Sequence, residues 1–401
     1  MKKSIEILSI DVISILQVST SQRKKACRTI QYEVKMKTNK KFDHLAMWTF
    51  PESVRTEDPE RMIERLKAAH VDLIVMFSDA RAKGDAREGY ENRLRAIIEE
   101  AHRNGMQVHS CFDDFNANEA MPVYDLRQVR QDGSFGSVLC PANPAVKEYN
   151  LGALARTLTD LGFDGINLED GYIYNSNTIY DPANQAGVEY TVIPVCYCDY
   201  CRKHAPIEKP EWARWKQEQL TDLVAEQAKL IRKLKPGAPF SVAARMPYAR
   251  ASYAEWEKEI PFYEGWEYCQ SRDAFGADWA EWLRRGHIDF ACPMSYFHSP
   301  RMVELQTREC QSLSPQAATK IWMGLVLSRS VEFCQTLESC QTSGQFPDGP
   351  EKGDPSLYNY AEDMEVLLNA QVQMGQRNCI LYNYEQLLDE HIPVLAQFRN
   401  A

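Results

Sequence analysis

Residues 162–170 read GFDGINLED, a short apolar run that ends on two acidic residues. Ile166 and Leu168 alternate with Asn167 and Glu169, as side chains alternate between the two faces of a β-strand. Ionised carboxylates are costly to bury, so Glu169 and the acid after it belong at a strand end or in a site that uses them. The stretch therefore predicts a buried strand whose carboxyl end carries acidic side chains.

Seven further apolar runs follow the same pattern and are separated by longer amphipathic stretches. This alternation is typical of βα units repeated around a parallel sheet. The predicted strands cover residues 45–50, 71–78, 106–112, 163–169, 240–246, 288–297, 321–327 and 379–384. Eight units, with no glycine-rich phosphate loop after any strand, predict an α/β protein with a (β/α)8 TIM barrel rather than an open doubly wound sheet.

Three connections are too long to be ordinary βα loops, namely residues 113–143, 175–210 and 247–278. They follow the third, fourth and fifth predicted strands, on the face where barrels of this kind build their sites. We therefore predict a single barrel domain over residues 41–401 with long loop insertions after strands 3, 4 and 5. Residues 1–40, which are partly basic, are predicted to be an extension outside that domain.

Charge and hydropathy exclude several classes of protein. The chain of 401 residues has a formal net charge of -10, whereas binding to phosphates requires a surplus of Lys and Arg, so nucleic acid is not an expected partner. No apolar run reaches the roughly 18 residues that span a membrane. Glu6 and Asp11 interrupt the N-terminal apolar stretch, which argues against a signal peptide. We expect a cytoplasmic protein, or a secreted or periplasmic one if the true start differs; the oligomeric state is not predicted.

Alternation along the fourth predicted strand assigns its side chains to the inner or the outer face of the barrel. Ile166 and Leu168 suit the layer of helices, which leaves Asn167 and Glu169 pointing into the barrel, with Glu169 at its mouth. Asp170 faces away by the same parity unless the chain bulges there. The competing interpretation is that both acids form a solvated entry to a loop.

Three motifs occur in the order LCPANPAVKEY (139–149), GFDGINLED (162–170) and HIDFACPMSY (287–296). Together they resemble the hypothetical glycosyl hydrolase-like (β/α)8 barrel families, and the resemblance extends over about residues 42–390. It implies an enzyme that cleaves O-glycosyl bonds in an oligo- or polysaccharide without a catalytic cofactor. The strand-end acid of these families falls on Glu169, where members usually have Asp, and the neighbouring acid falls on Asp170.

Glycoside hydrolysis usually requires two carboxyl groups, so Glu169 needs a partner. Asp113 is the first choice, because it ends the third predicted strand and points into the barrel by parity. Asp170 is the next choice, and Glu385 is a further candidate after the eighth strand. A helix cap or a loop ion pair is the alternative role for Asp113 and Asp114. The separation of the pair, which distinguishes retaining from inverting enzymes, does not follow from the sequence.

Sugar rings are held by aromatic faces and by polar groups that meet hydroxyls. Arg245, at the end of the fifth strand, is suited to an anionic sugar or to keeping a catalytic acid ionised. Large aromatic residues that merely fill the rim of the barrel are the alternative. The predicted substrate-binding residues at or near strand ends are Trp48, Asp114, Asn167, Tyr172, Arg245, Tyr296, Tyr384 and Glu385, and Tyr382 lies among them.

A cysteine-rich stretch, VCYCDYCRKH (195–204), lies in the insertion after the fourth strand. Its CxxC spacing and the nearby Cys196 and His204 predict a local structural zinc site formed by Cys196, Cys198, Cys201 and His204. Because the chain has no second CxxC pair, free or redox-active thiols are the alternative.

Two other functions remain open. A catalytically silent barrel that binds carbohydrate would keep the aromatic residues but lack a correctly spaced acid pair. A metal-dependent barrel hydrolase would use His109 and Asp113 as ligands, and it ranks last because His44 stands alone where an HxH motif is expected.

Overall fold

Eight parallel strands form one sheet that is nearly closed as a barrel. Isolated parallel bridges from Ala291 to Ile321 and from Met294 to Gly324 join the two edges of this sheet. The computed structural model describes residues 41–78, 83–113, 115–170, 195–207, 211–246, 271–272, 275–296, 300–314, 316–327 and 360–399. The predicted (β/α)8 barrel is confirmed.

All eight predicted barrel strands are present. β1 is as long as its predicted run and begins one residue earlier, and the other seven are shorter than theirs. Their bounds are β1 His44–Thr49, β2 Leu73–Phe77, β3 Gln107–Phe112, β6 Gly165–Leu168, β7 Phe240–Ala244, β8 Phe290–Pro293, β9 Met323–Val326 and β10 Asn378–Tyr382. Their order in the sheet is β8-β7-β6-β3-β2-β1-β10-β9. Two further strands, β4 Arg127–Val129 and β5 Phe135–Leu139, pair antiparallel with each other outside the barrel.

The described helices surround the sheet. Their bounds are α1 Pro51–Thr56, α2 Pro59–Ala68, α3 Gly84–Arg103, α4 Pro144–Asp160, α5 Asp199–His204, α6 Glu211–Leu234, α7 Trp279–Arg284, α8 Pro300–Ser312, α9 Ala317–Lys320, α10 Tyr360–Gln373 and α11 His391–Gln397. Local sequence explains where several begin: the side chain of Asn143 accepts a hydrogen bond from the Ala145 N–H, and proline follows it at the first helical position. None of the described helices is both long and apolar enough to span a bilayer.

Side chains that alternate along the strands fill two separate cores. Ile166 and Leu168 pack outward against the helices, whereas Trp48, Cys111 and Ala243 pack together inside the barrel. The parity predicted for the fourth barrel strand, β6, therefore agrees with the structure. It also places the residues that follow β3 and β6 at one mouth of the barrel, because all eight strands are parallel.

The connection after β3 holds the β4–β5 hairpin, which strand periodicity did not indicate. Asn116 forms an antiparallel bridge with Val138 of β5, and the Leu139 N–H donates to the Phe115 carbonyl at 2.9 Å. The hairpin is thus attached to the chain just beyond β3. The insertions predicted at 175–210 and 247–278 lie largely outside the described residues and stay predictions, as does the extension at residues 1–40.

Gly165 begins β6 at a point where a side chain has no space. A Cβ at this position would lie 2.6 Å from the Pro239 carbonyl oxygen and 2.8 Å from Nε2 of His109. Backbone atoms cannot move away from such a contact without a large energetic cost, so the close packing of β6 against its neighbours depends on glycine here.

We expect Gly165→Ala to lower the free energy of unfolding by about 2 kcal/mol, because the new methyl group overlaps backbone in a packed core. Gly152→Ala is the matched control, since Gly152 is exposed within α4 and a Cβ there meets nothing within 4 Å. That control should raise stability by up to about 1 kcal/mol, the usual effect of replacing glycine within a helix. Urea unfolding of both variants checks this, and a Gly165→Ala protein as stable as wild type would contradict it.

Candidate active site

Asp113 and Glu169 lie side by side at the mouth of the barrel. β3 and β6 are neighbours in register, with Phe112 opposite Leu168, and the Glu169 N–H donates to the Phe112 carbonyl at 3.1 Å. The two acids therefore continue adjacent strands by one residue each. Asp113 is buried and Glu169 is half-buried, so the strand pairing itself brings two carboxylates together.

The amide group of Asn116 bridges these carboxylates. Its Nδ2 donates to Oδ1 of Asp113 at 2.6 Å and to Oε2 of Glu169 at 3.2 Å. The sum of these two distances, about 5.8 Å, is an upper limit for the separation of the two accepting oxygens. Sequence reasoning missed Asn116, because only its pairing with the hairpin turns its side chain toward both acids.

Asp170 and Arg245 form an ion pair beside the first two acids. Arg245 approaches Oδ2 of Asp170 at 2.9 Å, its guanidinium lies 4.9 Å from the centre of the Phe275 ring, and its carbonyl accepts from Nε1 of Trp279 at 3.1 Å. Arg245 thus pairs with an acid at the strand ends, while the roles predicted for it toward a sugar or a catalytic acid stay predictions. An arginine held in this way keeps Asp170 occupied as an ion-pair partner.

A small recess with room for about one water molecule lies beside this ion pair, between the carboxyl ends of β6 and β7 and helix α7. Its lining includes Glu169, Asp170, Arg245, Ala277 and Trp279. Among the three acids discussed so far, Glu169 and Asp170 line this recess and Asp113 does not.

Aromatic rings form another part of the same barrel mouth. Tyr296 lies 4.6 Å from Tyr382 and 6.4 Å from Trp48 in an edge-to-face arrangement. Burial raises the pKa of the Tyr296 hydroxyl well above its usual range, and the nearby Tyr382 and Asp170 add to the effect. Trp48 lies in β1, Tyr382 ends β10 and Tyr296 follows β8, so the predicted aromatic residues Trp48 and Tyr296 meet within the barrel.

Asn167 is fully buried, and its amide group hydrogen-bonds within the protein. Its Oδ1 accepts from Nε1 of Trp48 at 3.3 Å, and its Nδ2 donates to Oγ of Ser241 at 2.8 Å. These bonds connect β1, β6 and β7 across the barrel interior. In the described structure the Asn167 amide therefore holds Trp48 inside the barrel and does not face the barrel mouth.

Two other predicted substrate-binding residues have packing roles in the structure. Tyr384 is buried in the outer core with Leu387 and Phe398, and burial raises its pKa to about 12. Glu385 accepts a hydrogen bond from the Phe50 N–H at 2.9 Å, which ties the chain after β10 to the end of β1. Two further predicted residues, Asp114 and Tyr172, lie outside the described residues.

His109 fills the barrel interior below the acids, where it faces Gly165. It is 1% exposed, neither ring nitrogen has a hydrogen-bond partner among the described residues, and burial lowers its pKa to about 4. In the described part of the chain, His109 and Asp113 belong to no group of three metal-ligating side chains. The geometry therefore does not favour the metal-dependent hydrolase.

Four cysteines converge elsewhere on the barrel, and the set differs from the predicted one. The thiols of Cys140, Cys196, Cys198 and Cys201 lie within 4.8 Å of one another. His204 is not in this group; its ring packs 4.5 Å from that of Tyr200. The correction has a physical reason: His204 lies at the end of α5, and the chain after β5 brings Cys140 to the other three sulfurs instead.

Residues 74–337 match the model of the family described as Glycosyl hydrolase-like 10. The chain belongs to this family. The glycosyl hydrolase DigH of Escherichia coli (strain K12) is 23% identical over 282 residues, which cover 65% of this chain and 59% of DigH. The chain thus matches less than two thirds of the length of that relative.

Solved structures with the same fold include two glycoside-cleaving proteins. The PgaB (BpsB) glycoside hydrolase domain from Bordetella bronchiseptica has a TM-score of 0.56 at 11% identity, covering 88% of this chain and 98% of that domain. A β-galactosidase from the haloarchaeon Halorubrum lacusprofundi has a TM-score of 0.54 at 12% identity, covering 88% of this chain and 57% of that enzyme. At these identities the likeness shows the barrel fold alone.

The pH dependence of stability tests the buried environment of His109. Its pKa is about 4 in the folded protein against 6.5 ordinarily, so between these values the unfolded chain binds a proton that the folded chain does not. Stability should therefore fall as pH falls from 6.5 to 4, with His109 contributing about 3 kcal/mol of that loss. His109→Leu should show a shallower decline in denaturant unfolding over this window, and equal slopes in both proteins would contradict the assignment.

Proposed function

We propose that this protein hydrolyses glycosidic bonds in an oligo- or polysaccharide, with Glu169 as the leading catalytic carboxylate and Asp113 as its partner. The observation that carries the proposal is the pair of acids joined by the amide of Asn116 at the mouth of the barrel. Most glycoside hydrolases use two carboxyl groups on either side of the scissile bond. Membership of the glycosyl hydrolase-like 10 family supports the same reaction class.

The geometry suits a division of roles within the pair. Two carboxylates this close repel each other when both are ionised, so sharing one proton between them is favoured. One group can then protonate the leaving oxygen while the other stabilises or attacks the anomeric carbon. Glu169 is half-buried whereas Asp113 is buried, which makes Glu169 the more accessible member of the pair.

The surroundings of the pair suit a saccharide. Tyr296 and Tyr382, which are half-buried, offer aromatic surface near the strand ends, and the buried Trp48 packs against both. Arg245 and Asp170 supply paired charges beside the recess, where they can meet hydroxyl groups. We propose a carbohydrate as the ligand of this face.

Release of reducing ends from a broad panel of glycans tests the function. Wild-type protein should cleave at least one glycan, and Glu169→Gln should lower that rate by about 1000-fold, because it keeps the shape of the side chain but removes the acid. Asp113→Asn should cause a loss of similar size. Glu218→Gln is the matched control, since Glu218 is exposed on α6, and it should retain wild-type activity. Equal activity in wild type and Glu169→Gln would contradict the assignment.

Asn116 is proposed as a positioning residue for the two acids. Asn116→Ala removes the shared donor, and we expect kcat to fall about 100-fold while KM changes less than about threefold. Asn92→Ala, at an exposed position in α3, should leave both constants unchanged. Steady-state kinetics on the substrate found in the panel measures both constants. An unchanged kcat in Asn116→Ala would contradict a positioning role for Asn116.

A carbohydrate-binding barrel without catalysis is the second candidate, and the burial of Asp113, which is 1% exposed, favours it. A partner acid must reach the sugar to take part in cleavage. Binding of a glycan without cleavage, measured by calorimetry on the same panel, would support this second function over the first.

A further inference from the structure

The four clustered cysteines come from two different connections of the barrel. Cys140 follows β5 directly, in the insertion after β3, whereas Cys196, Cys198 and Cys201 lie at and just before α5, in the insertion after β6. The Sγ of Cys140 is 3.6 Å from that of Cys201 and 3.6 Å from that of Cys198. Cys198 is half-buried, and the other three are buried.

These distances match a metal site better than disulfides. A disulfide joins two sulfurs at about 2.05 Å, and all four thiols are free in the structure. A tetrahedral zinc ion with Zn–S bonds of about 2.3 Å places its sulfurs about 3.8 Å apart, close to the two separations observed. A closed set of four thiolates is also the usual arrangement of a structural zinc site, whereas a catalytic site keeps one position open.

We propose that Cys140, Cys196, Cys198 and Cys201 bind one structural zinc ion that joins the connections after β3 and β6. The backbone already brings these segments together, since the Tyr197 N–H donates to the Val129 carbonyl of β4 at 2.8 Å. The zinc ion adds four strong bonds to that contact.

The zinc ion supports the carboxylate pair through the hairpin. Cys140 directly follows β5, and β5 pairs with the segment that contains Asn116. The Ala117 N–H donates to the Ser137 carbonyl at 2.8 Å, so the backbone on both sides of Asn116 is held by the strand that ends at the metal site. Anchoring Cys140 therefore holds β5 in place, and with it the paired segment from which the Asn116 amide reaches Asp113 and Glu169.

Metal analysis of the full chain, purified under reducing conditions without a metal-affinity step, tests the site. We expect about one zinc per chain in wild type, loss of that zinc in Cys140→Ser and in Cys201→Ser, and a thermal midpoint lower by about 10 °C or more in both. His204→Ala and Cys310→Ser are the controls, because His204 lies outside the group and Cys310 is a buried cysteine elsewhere. Both controls should keep the zinc and the midpoint.

Cobalt substitution of the wild-type protein covers the case in which the cysteine variants fail to fold. Tetrahedral coordination by four thiolates should give the intense visible bands and the sulfur-to-cobalt charge transfer of such a site, and added zinc should abolish them. The proposal is overturned by wild-type protein without zinc, by iron in its place, by zinc that survives Cys140→Ser but not His204→Ala, or by a disulfide among the four cysteines. Glycan cleavage plays no part in these measurements, so their outcome is independent of the proposed function.

Discussion

The site depends on one side-chain amide that holds two carboxylates together. Asn116 donates to Asp113 and Glu169 at once, and without a shared donor two such acids at the ends of adjacent strands would repel each other. The amide offsets part of that repulsion between two acids that strand pairing brings together. The proposed chemistry at this mouth of the barrel depends on that constraint.

The barrel supplies the two acids, and the hairpin supplies the amide. Parallel pairing of β3 with β6 brings Asp113 and Glu169 to the same level, which no loop could do with equal precision. The β4–β5 hairpin then orients Asn116 by strand pairing. The proposed zinc site lies at the carboxyl end of β5, next to Val138, which bridges to Asn116, so the proposed catalytic pair and the proposed metal site share one short strand.

The barrel and its interior could be predicted because strand periodicity is local. Alternation in β6 was enough to separate Leu168, which packs outward, from Asn167, which lies inside. Local spacing also found three of the four clustered cysteines. It chose His204 as the fourth, because a sequence pattern favours a near neighbour over Cys140, which tertiary packing brings close.

Asn116 could not be found in the same way. It lies in an irregular segment with no motif, and its role arises from non-local pairing with β5. Proximity to a strand end predicts substrate contact for Tyr384 and Glu385, and this stays a prediction. In the structure Tyr384 packs in the outer core, and Glu385 accepts a hydrogen bond from a backbone amide. Position along a strand predicts the face of the barrel, but not the partner that a side chain finds there.

The stereochemistry of cleavage tests the paired carboxylates most directly. Retaining enzymes place their two carboxyl groups about 5 to 5.5 Å apart, and inverting enzymes about 6.5 to 9.5 Å apart. The shared amide limits the separation of the two accepting oxygens to about 5.8 Å. Proton NMR of the first product formed should therefore show the anomeric configuration of the substrate retained. Release of the inverted anomer would contradict the account.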